Sequence, residues 1–135
     1  MTRKIFVNLP VKDLERSMSF FKQLGFKFNP QFTDQTAACM VIADDIYAML
    51  LTHTKFKTFT KKEIADATRV TEVLTALSFE SRAQVNDFVD TALKAGAIES
   101  AEVQDHGFMY GRSFDDLDGH IWEIFWMDPN HIQKT

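Results

Sequence analysis

The chain has 135 residues, of which 45% are hydrophobic and 13% aromatic, which is sufficient for one folded domain with a substantial core. Its net charge of −4 argues against binding to nucleic acid or to an anionic membrane, because phosphate groups require a basic surface. A single cysteine excludes an internal disulfide bond, and no apolar run resembles a signal sequence or a transmembrane helix, so we expect a cytoplasmic protein.

The pattern of the first half predicts a strand, a helix and three further strands. Residues 4–11 are mostly apolar and form the first predicted strand. Asp13 is suited to cap a helix that Gly25 ends, because Asp accepts hydrogen bonds from free helix N–H groups and Gly adopts positive φ. We expect the three strands that follow to form an antiparallel meander. They span residues 26–32, 36–43 and 46–52.

Residues 54–70 differ in character from the segments on either side. They contain five basic residues and little of the alternation that is typical of strands. The motif Thr60-Lys61-Lys62-Glu63 matches a capping box and predicts a short helix over residues 61–67. We interpret the segment as a solvated connector between two halves. The alternative is a lid over a cleft, whose basic residues would suit an anionic ligand.

The second half repeats the order of the first. A strand at 71–79 precedes a helix that begins with the capping box Ser81-Arg82-Ala83-Gln84 and ends at Gly96. Three more strands follow. They comprise residues 101–104, residues 108–114 and a final strand from Ile121.

The repeat predicts an α+β fold built from two βαβββ modules. The modules span about residues 1–53 and 71–128, and residues 54–70 connect them within one domain of residues 1–135. One helix can cover only one face of a four-stranded sheet. Pairing the two sheets would therefore form a curved, incomplete eight-stranded barrel with the helices outside and a cleft inside.

The final strand places an acidic side chain among hydrophobic ones. It follows an Asp118-Gly119 pair, which favours a tight turn. By alternation, Glu123 shares one strand face with Ile121 and Phe125, and the opposite face is apolar as well, so we expect both faces to be covered. A carboxylate in such surroundings needs a metal, another cation, a hydrogen-bond network or a proton.

Three motifs carry a resemblance to a known family. They are Val-Lys-Asp-Leu-Glu-Arg-Ser at 11–17, Phe-Phe and Leu-Gly-Phe within 20–26, and Asp-Leu-Asp-Gly-His followed by Trp-Glu-Ile within 116–124. With the repeat, they make the chain resemble the vicinal oxygen chelate superfamily, which contains glyoxalase I, bleomycin resistance proteins, fosfomycin resistance proteins and extradiol dioxygenases. The resemblance covers nearly the whole chain and is nearest to uncharacterised glyoxalase-like members. It implies the fold but no single activity, because this fold hosts many reactions.

Enzymes of that family bind a divalent metal through one ligand from each of four strands. The corresponding positions in this chain are Phe6, Leu50, Leu74 and Glu123. Only Glu123 has a donor atom, and a hard divalent ion needs several oxygen or nitrogen donors, so we predict neither a metal nor another cofactor. Two alternatives stay open: Glu72 and Asn8 would join Glu123 if the fifth strand were offset, or a partner chain would supply a ligand.

Bleomycin resistance proteins sequester a drug without chemistry, and the resemblance to them suggests a metal-free protein that binds a small hydrophobic or aromatic molecule. The candidate catalytic or polar residue is Glu123. The predicted ligand-binding residues are Phe6, Asn8, Leu50, Leu74, Ala76, Tyr110, Arg112 and Phe125. The resemblance also implies a homodimer, which would cover exposed strand edges.

Two other functions remain open at this point. The first is an enzyme of the lyase or glyoxalase type, which would use a displaced metal or would use Glu123 as a general base whose pKa is raised by apolar burial. The second is a non-catalytic interaction module, in which Phe6 and other side chains fill the cleft.

Overall fold

The structure, a computed structural model, describes residues 3–131. The chain forms two compact units that divide after Ala65. Each unit contains one sheet, and a helix packs on one face of it. The helices formed by the described residues are all too short or too polar to cross a bilayer.

In the first unit, the sheet has the strand order β1-β4-β3-β2. Its elements are β1 (Ile5–Val11), α1 (Leu14–Gln23), β2 (Lys27–Asn29), a 3-10 helix (Pro30–Phe32), β3 (Ala37–Ala43), β4 (Ile46–Thr52) and α2 (His53–Lys57). Strands β2, β3 and β4 pair antiparallel, which confirms the predicted meander, and β1 joins β4 in parallel.

Helix α1 begins and ends where its local sequence predicts. The Asp13 carboxylate accepts a hydrogen bond from the Arg16 N–H at 3.2 Å, and Gly25 has a φ of 99°. Phe20 and Phe21 are almost fully buried on the face of α1 that packs on the sheet. Burying each ring contributes about 1.5–3 kcal/mol, so this face holds the helix on the sheet.

The prediction of a helix over residues 61–67 is wrong. The helix in this part of the chain is α2, which is one turn long and lies before residue 61. Thr52 caps α2 by accepting the Lys55 N–H at 3.2 Å. The Thr60 hydroxyl instead accepts the Lys62 N–H at 3.1 Å, which closes a local turn and not a helix cap. A short polar segment without an apolar face gains too little packing to offset the cost of starting a helix.

In the second unit, the sheet has the strand order β5-β9-β8-β6, and β7 also pairs with β8. Its elements are β5 (Thr75–Phe79), α3 (Arg82–Lys94), β6 (Ile98–Glu99), β7 (Gln104–Asp105), β8 (Met109–Asp115) and β9 (Ile121–Met127). The α+β class and the two βαβββ modules are confirmed.

Two strands of the second unit differ from their predicted bounds. The first one starts at Thr75, so residues 71–74 lie outside it. The predicted strand at 101–104 is replaced by β6 and β7, because both pair with β8 in a register that leaves residues 100–103 between them. The segment 100–103 therefore leaves the sheet, and we call it the edge loop.

Helix α3 covers one face of the second sheet. The Ser81 hydroxyl accepts the Gln84 N–H at 3.1 Å, while the Gln84 side chain accepts the Glu80 N–H at 2.9 Å, so the reciprocal cap reaches one residue further back than predicted. Trp122 and Ile124 of β9 are fully buried on the helix side. The expectation that both faces of β9 are covered holds only for this side, since its other side chains are partly exposed.

Candidate functional site

A buried carboxylate holds the turn that leads into β9. The Asp116 carboxylate accepts the backbone N–H groups of Asp118 and His120 at 2.9 and 3.0 Å through one oxygen. Its other oxygen accepts the Trp122 indole N–H at 3.0 Å. Burial raises the pKa of the Asp116 carboxyl above its ordinary value, and the neighbouring His120 opposes that rise. These bonds fix where β9 starts and so which of its side chains face away from α3.

Glu123 lies on the face of the second sheet that is turned away from α3, which we call the open face. Strand pairing puts it between Ala76 of β5 and Ser113 of β8. The residue is half-buried. Within residues 3–131, no hydrogen bond or ion pair engages its carboxylate. The acid predicted from the sequence is therefore present on the open face, and no described residue compensates its charge.

A cavity of about 460 Å³ lies over this part of the open face. Its main apolar walls are Met109, Phe125 and Met127, and Glu102 and Glu123 add two carboxylates. The edge loop borders it on one side. This volume falls in the range of small-molecule sites, roughly 300–1,000 Å³. The arrangement can enclose an apolar molecule and offer it a negative charge.

A second cavity, in the first unit, has a different lining. It measures about 530 Å³ and lies beside the start of α1. Its walls are mostly charged and polar side chains, among them Lys12, Glu15 and Arg16. Because such walls remove little apolar surface from water, this cavity is the weaker candidate for a small-molecule site.

An ion pair anchors the edge loop at its β7 end. The Arg82 guanidinium, at the start of α3, donates two hydrogen bonds of 2.8 Å to Asp105 and one of 3.0 Å to the Gly107 carbonyl. It also lies over the rings of Tyr110 and Trp126, 5.0 and 5.4 Å from their centroids. The hydrogen bonds from Arg82 lower the pKa of Asp105 to about 2. The loop beside the cavity is thereby tied to the helix.

This pair predicts an acid-dependent loss of stability. The lowered pKa of Asp105 contributes stability that is fully present above its ordinary value of 3.8 and is lost as pH falls towards about 2. We expect the stability difference between wild type and Asp105→Asn to shrink across that window. Urea unfolding at a series of pH values measures it, and a difference that is constant down to pH 2 would contradict the assignment.

Two predicted ligand-binding residues of β8 have side chains that reach α3. The Tyr110 hydroxyl donates to the Asn86 side chain at 2.7 Å. The Arg112 guanidinium donates to Asn86 and Asp90 of α3 at 3.1 and 2.9 Å and to Glu99 of β6 at 2.6 Å. Arg112 borders the cavity, but its charge is balanced by the two acids. Its Nε is buried without a hydrogen-bond partner among the described residues.

The predicted residues of the first unit lie on two different faces of its sheet. Phe6 and Asn8 are exposed on one face, where the Phe6 ring stacks on Tyr47 with centroids 4.7 Å apart. Leu50 is fully buried and pairs with Leu9 in the core beneath α1. Alternation along β4 separates Leu50 from the face of Phe6.

In the second unit, three of the predicted residues come together on the open face: Ala76, Glu123 and Phe125. Leu74 precedes β5 and is 53% exposed. Met109, Met127 and the small residue Gly111 also lie on this face, where the two methionines pair across β8 and β9, and none of the three was named individually as a ligand-binding residue. Gly111 had a usable signal, since a glycine inside a strand marks close approach of another group.

The divalent metal implied by the family does not fit these residues. The strand neighbours of Glu123 on the open face are Ala76 and Ser113, so the sheet itself supplies one carboxylate and one hydroxyl. Glu102 and Gln104 also line the cavity, but Glu102 is exposed to water and lies in the edge loop. Glu72 is exposed and lies outside β5. Nowhere in residues 3–131 do three His, Cys, Asp or Glu side chains gather in a way that could hold a metal ion. A stable site for such an ion needs more donors than this set provides.

Comparison with known proteins agrees with this fold. The family described as bleomycin resistance protein-like N-terminal matches residues 3–43. The hypothetical protein SA1046 from S. aureus is 30% identical, with a TM-score of 0.78 over 93% of this chain and 95% of that one. Among curated proteins, none matches the chain.

Two further structures share the fold at lower identity. A glyoxalase/bleomycin resistance protein/dioxygenase family enzyme from Burkholderia phytofirmans PsJN is 14% identical, with a TM-score of 0.77 over 93% of this chain and 99% of that one. The fosfomycin resistance protein FosX from Listeria monocytogenes is 15% identical, with a TM-score of 0.68 over 100% of this chain and 96% of that one. The match over residues 3–43 and the fold of the whole chain are consistent with the vicinal oxygen chelate superfamily, the family of the glyoxalases and bleomycin resistance proteins.

Proposed function

We propose that this protein binds a small, largely apolar molecule on the open face of its second sheet, without a metal ion. The observation that carries the proposal is the cavity of about 460 Å³, whose apolar walls surround the half-buried Glu123. The matching family of bleomycin resistance-like proteins supports it. An open cavity of this size also argues against the alternative of an interaction module with a filled cleft.

The wall residues suit an apolar ligand for physical reasons. Phe125 offers the flat face or edge of a ring, against which an aromatic ligand packs favourably. Met109 and Met127 have flexible, polarisable side chains that adapt to irregular shapes. Removing these surfaces from water on binding provides the driving force, about 25 cal/mol for each Å² of apolar area.

Filling the cavity from Gly111 tests the proposal. A Cβ built there would lie 3.6 Å from the Phe125 Cβ and 3.8 Å from the Met109 sulfur, and its backbone is outside the left-handed region. The Cβ of Gly111→Val therefore meets only ordinary van der Waals contacts, and because Gly111 lines the cavity, the methyl groups of the valine would occupy part of its volume. We expect wild type to be stabilised by members of a panel of small aromatic compounds, and the variant to bind them at least about tenfold more weakly.

Ser78→Val is the matched control. Ser78 of β5 pairs with Phe125 of β9 but does not line the cavity, so a valine there should leave the affinity unchanged. Calorimetry and thermal unfolding provide the readouts. The proposal fails if no compound stabilises wild type, or if Gly111→Val binds as tightly as wild type does. Recovery of the ligand chemically unchanged separates a binding protein from the alternative enzyme, in which Glu123 would act as a general base.

We also propose that the protein forms a homodimer. Strand β1 lies at an edge of the first sheet and β5 at an edge of the second. On β1, Ile5 and Phe6 are about half exposed. Edge strands with exposed apolar side chains are commonly covered by a second chain. The molar mass of the protein in solution tests this expectation.

A further inference from the structure

Resting on the proposed binding function, we infer that the cavity selects an organic cation, namely a protonated amine carried on an apolar or aromatic body. The apolar walls alone do not specify the charge of the ligand. The charged groups around the cavity, and the spacing between Glu123 and Phe125, do so.

The charged groups that face the cavity are acidic. Glu123 and Glu102 line it, and neither carboxylate has a hydrogen bond or ion pair in the described part of the chain. Among residues 3–131, the one basic residue at its border is Arg112, whose side chain is only 10% exposed. Ion pairs of 2.9 and 2.6 Å to Asp90 and Glu99 balance its charge on the helix side. The described residues therefore give the cavity two negative charges and no uncommitted positive one.

A ligand that enters this cavity removes water from the Glu123 carboxylate. Losing that hydration is unfavourable unless another group replaces it. A neutral apolar ligand offers the carboxylate no hydrogen bond in place of the lost water, and an anionic ligand adds electrostatic repulsion. An ammonium group returns a charge-assisted hydrogen bond, which is about twice as strong as a neutral one.

The spacing on β9 fits a particular shape of ligand. Glu123 and Phe125 are neighbours on the same strand face, and such neighbours are about 7 Å apart. An amine at Glu123 can then be joined by a two-carbon link to a ring packed against Phe125. The face of that ring also attracts a nearby cation. Arylethylamines match this arrangement.

The test compares three probes that share one ring system but differ in charge: naphthylethylamine, naphthylethanol and naphthylpropionate. We expect calorimetry at neutral pH to show that wild type binds the amine about tenfold more tightly than the alcohol. The propionate should bind most weakly. In Glu123→Gln the amine should lose most of its advantage over the alcohol, with Glu102 as the remaining negative charge, while the affinity for the alcohol stays within about twofold of wild type. A retained affinity for the alcohol shows that the cavity of the variant is intact.

Glu63→Gln is the control, because it removes the same charge at an exposed position of the connector outside the cavity. It should keep the preference for the amine. If wild type binds the three probes equally, or if Glu123→Gln and Glu63→Gln keep or lose the preference alike, the inference about charge is overturned while the binding function stands. If wild type binds none of the probes, both are overturned.

Discussion

Asp116→Ala is expected to lower the free energy of unfolding by about 3–5 kcal/mol, which is a large part of the stability of a small domain. Asp116 is 7% exposed and accepts three hydrogen bonds, from the backbone N–H groups of Asp118 and His120 and from the Trp122 indole. Alanine would leave these donors without their acceptor in a place with little access to water. Urea unfolding followed by tryptophan fluorescence measures the loss.

Asp34→Ala is the matched control for this substitution. Asp34 also accepts three hydrogen bonds, two from Thr36 and one from Ala37, but it is exposed. Water can replace its carboxylate, so we expect a much smaller effect on stability. The loss in the free energy of unfolding for Asp116→Asn should lie between the losses for the two alanine variants. The asparagine amide retains one acceptor oxygen but turns an N–H group towards one of the donors. Equal losses for Asp116→Ala and Asp34→Ala would show that burial of the carboxylate is unimportant.

Gly119→Ala is expected to destabilise the protein by about 2–5 kcal/mol, because two unfavourable effects act together. Gly119 has a φ of 90°, in the region that side chains disfavour. A Cβ built there would also lie 2.7 Å from backbone atoms of both Ala67 and Thr68. Ala67 and Thr68 belong to a turn at residues 66–69. Hydrogen bonds of 2.6 and 3.0 Å from Thr68 to Asp66 hold this turn, so it cannot move aside easily.

Gly25→Ala separates the two effects. Gly25 also has a positive φ, 99°, but a Cβ built there meets nothing within 4 Å. We expect the free energy of unfolding of Gly25→Ala to fall only by the conformational cost of a side chain at positive φ, about 1–2 kcal/mol. Thermal or urea unfolding of both variants gives the comparison. If Gly119→Ala is no less stable than Gly25→Ala, the close approach of the 66–69 turn to Gly119 does not constrain the fold.

The local parts of this protein could be predicted from its sequence because their signals act between near neighbours. The caps at Asp13 and Ser81 and the helix-ending Gly25 and Gly96 lie where the sequence predicts them. Hydrophobic periodicity between these signals is sufficient to order the strands and helices of each module. Glu123 could be singled out for the same reason, as a lone acid in an apolar strand.

Pairing between distant strands decided what the local pattern left open. The register of β6 and β7 on β8 leaves most of a predicted strand, residues 101–103, in the edge loop beside the cavity. Leu50 belongs to the core because β4 turns that side of the strand towards α1. A shift of one residue moves a side chain to the opposite face of a sheet, so small errors in register change its role completely.

By itself, the sequence determined the α+β class, the repeated βαβββ module, the helix caps and the presence of one acid among apolar residues. Only the tertiary structure decided that the charge of Arg112 is balanced on the helix side, that the two methionines face each other across β8 and β9, and that a cavity lies over Glu123. Caps and periodicity depend on residues a few positions apart, whereas a cavity depends on which distant side chains the sheet places on one face.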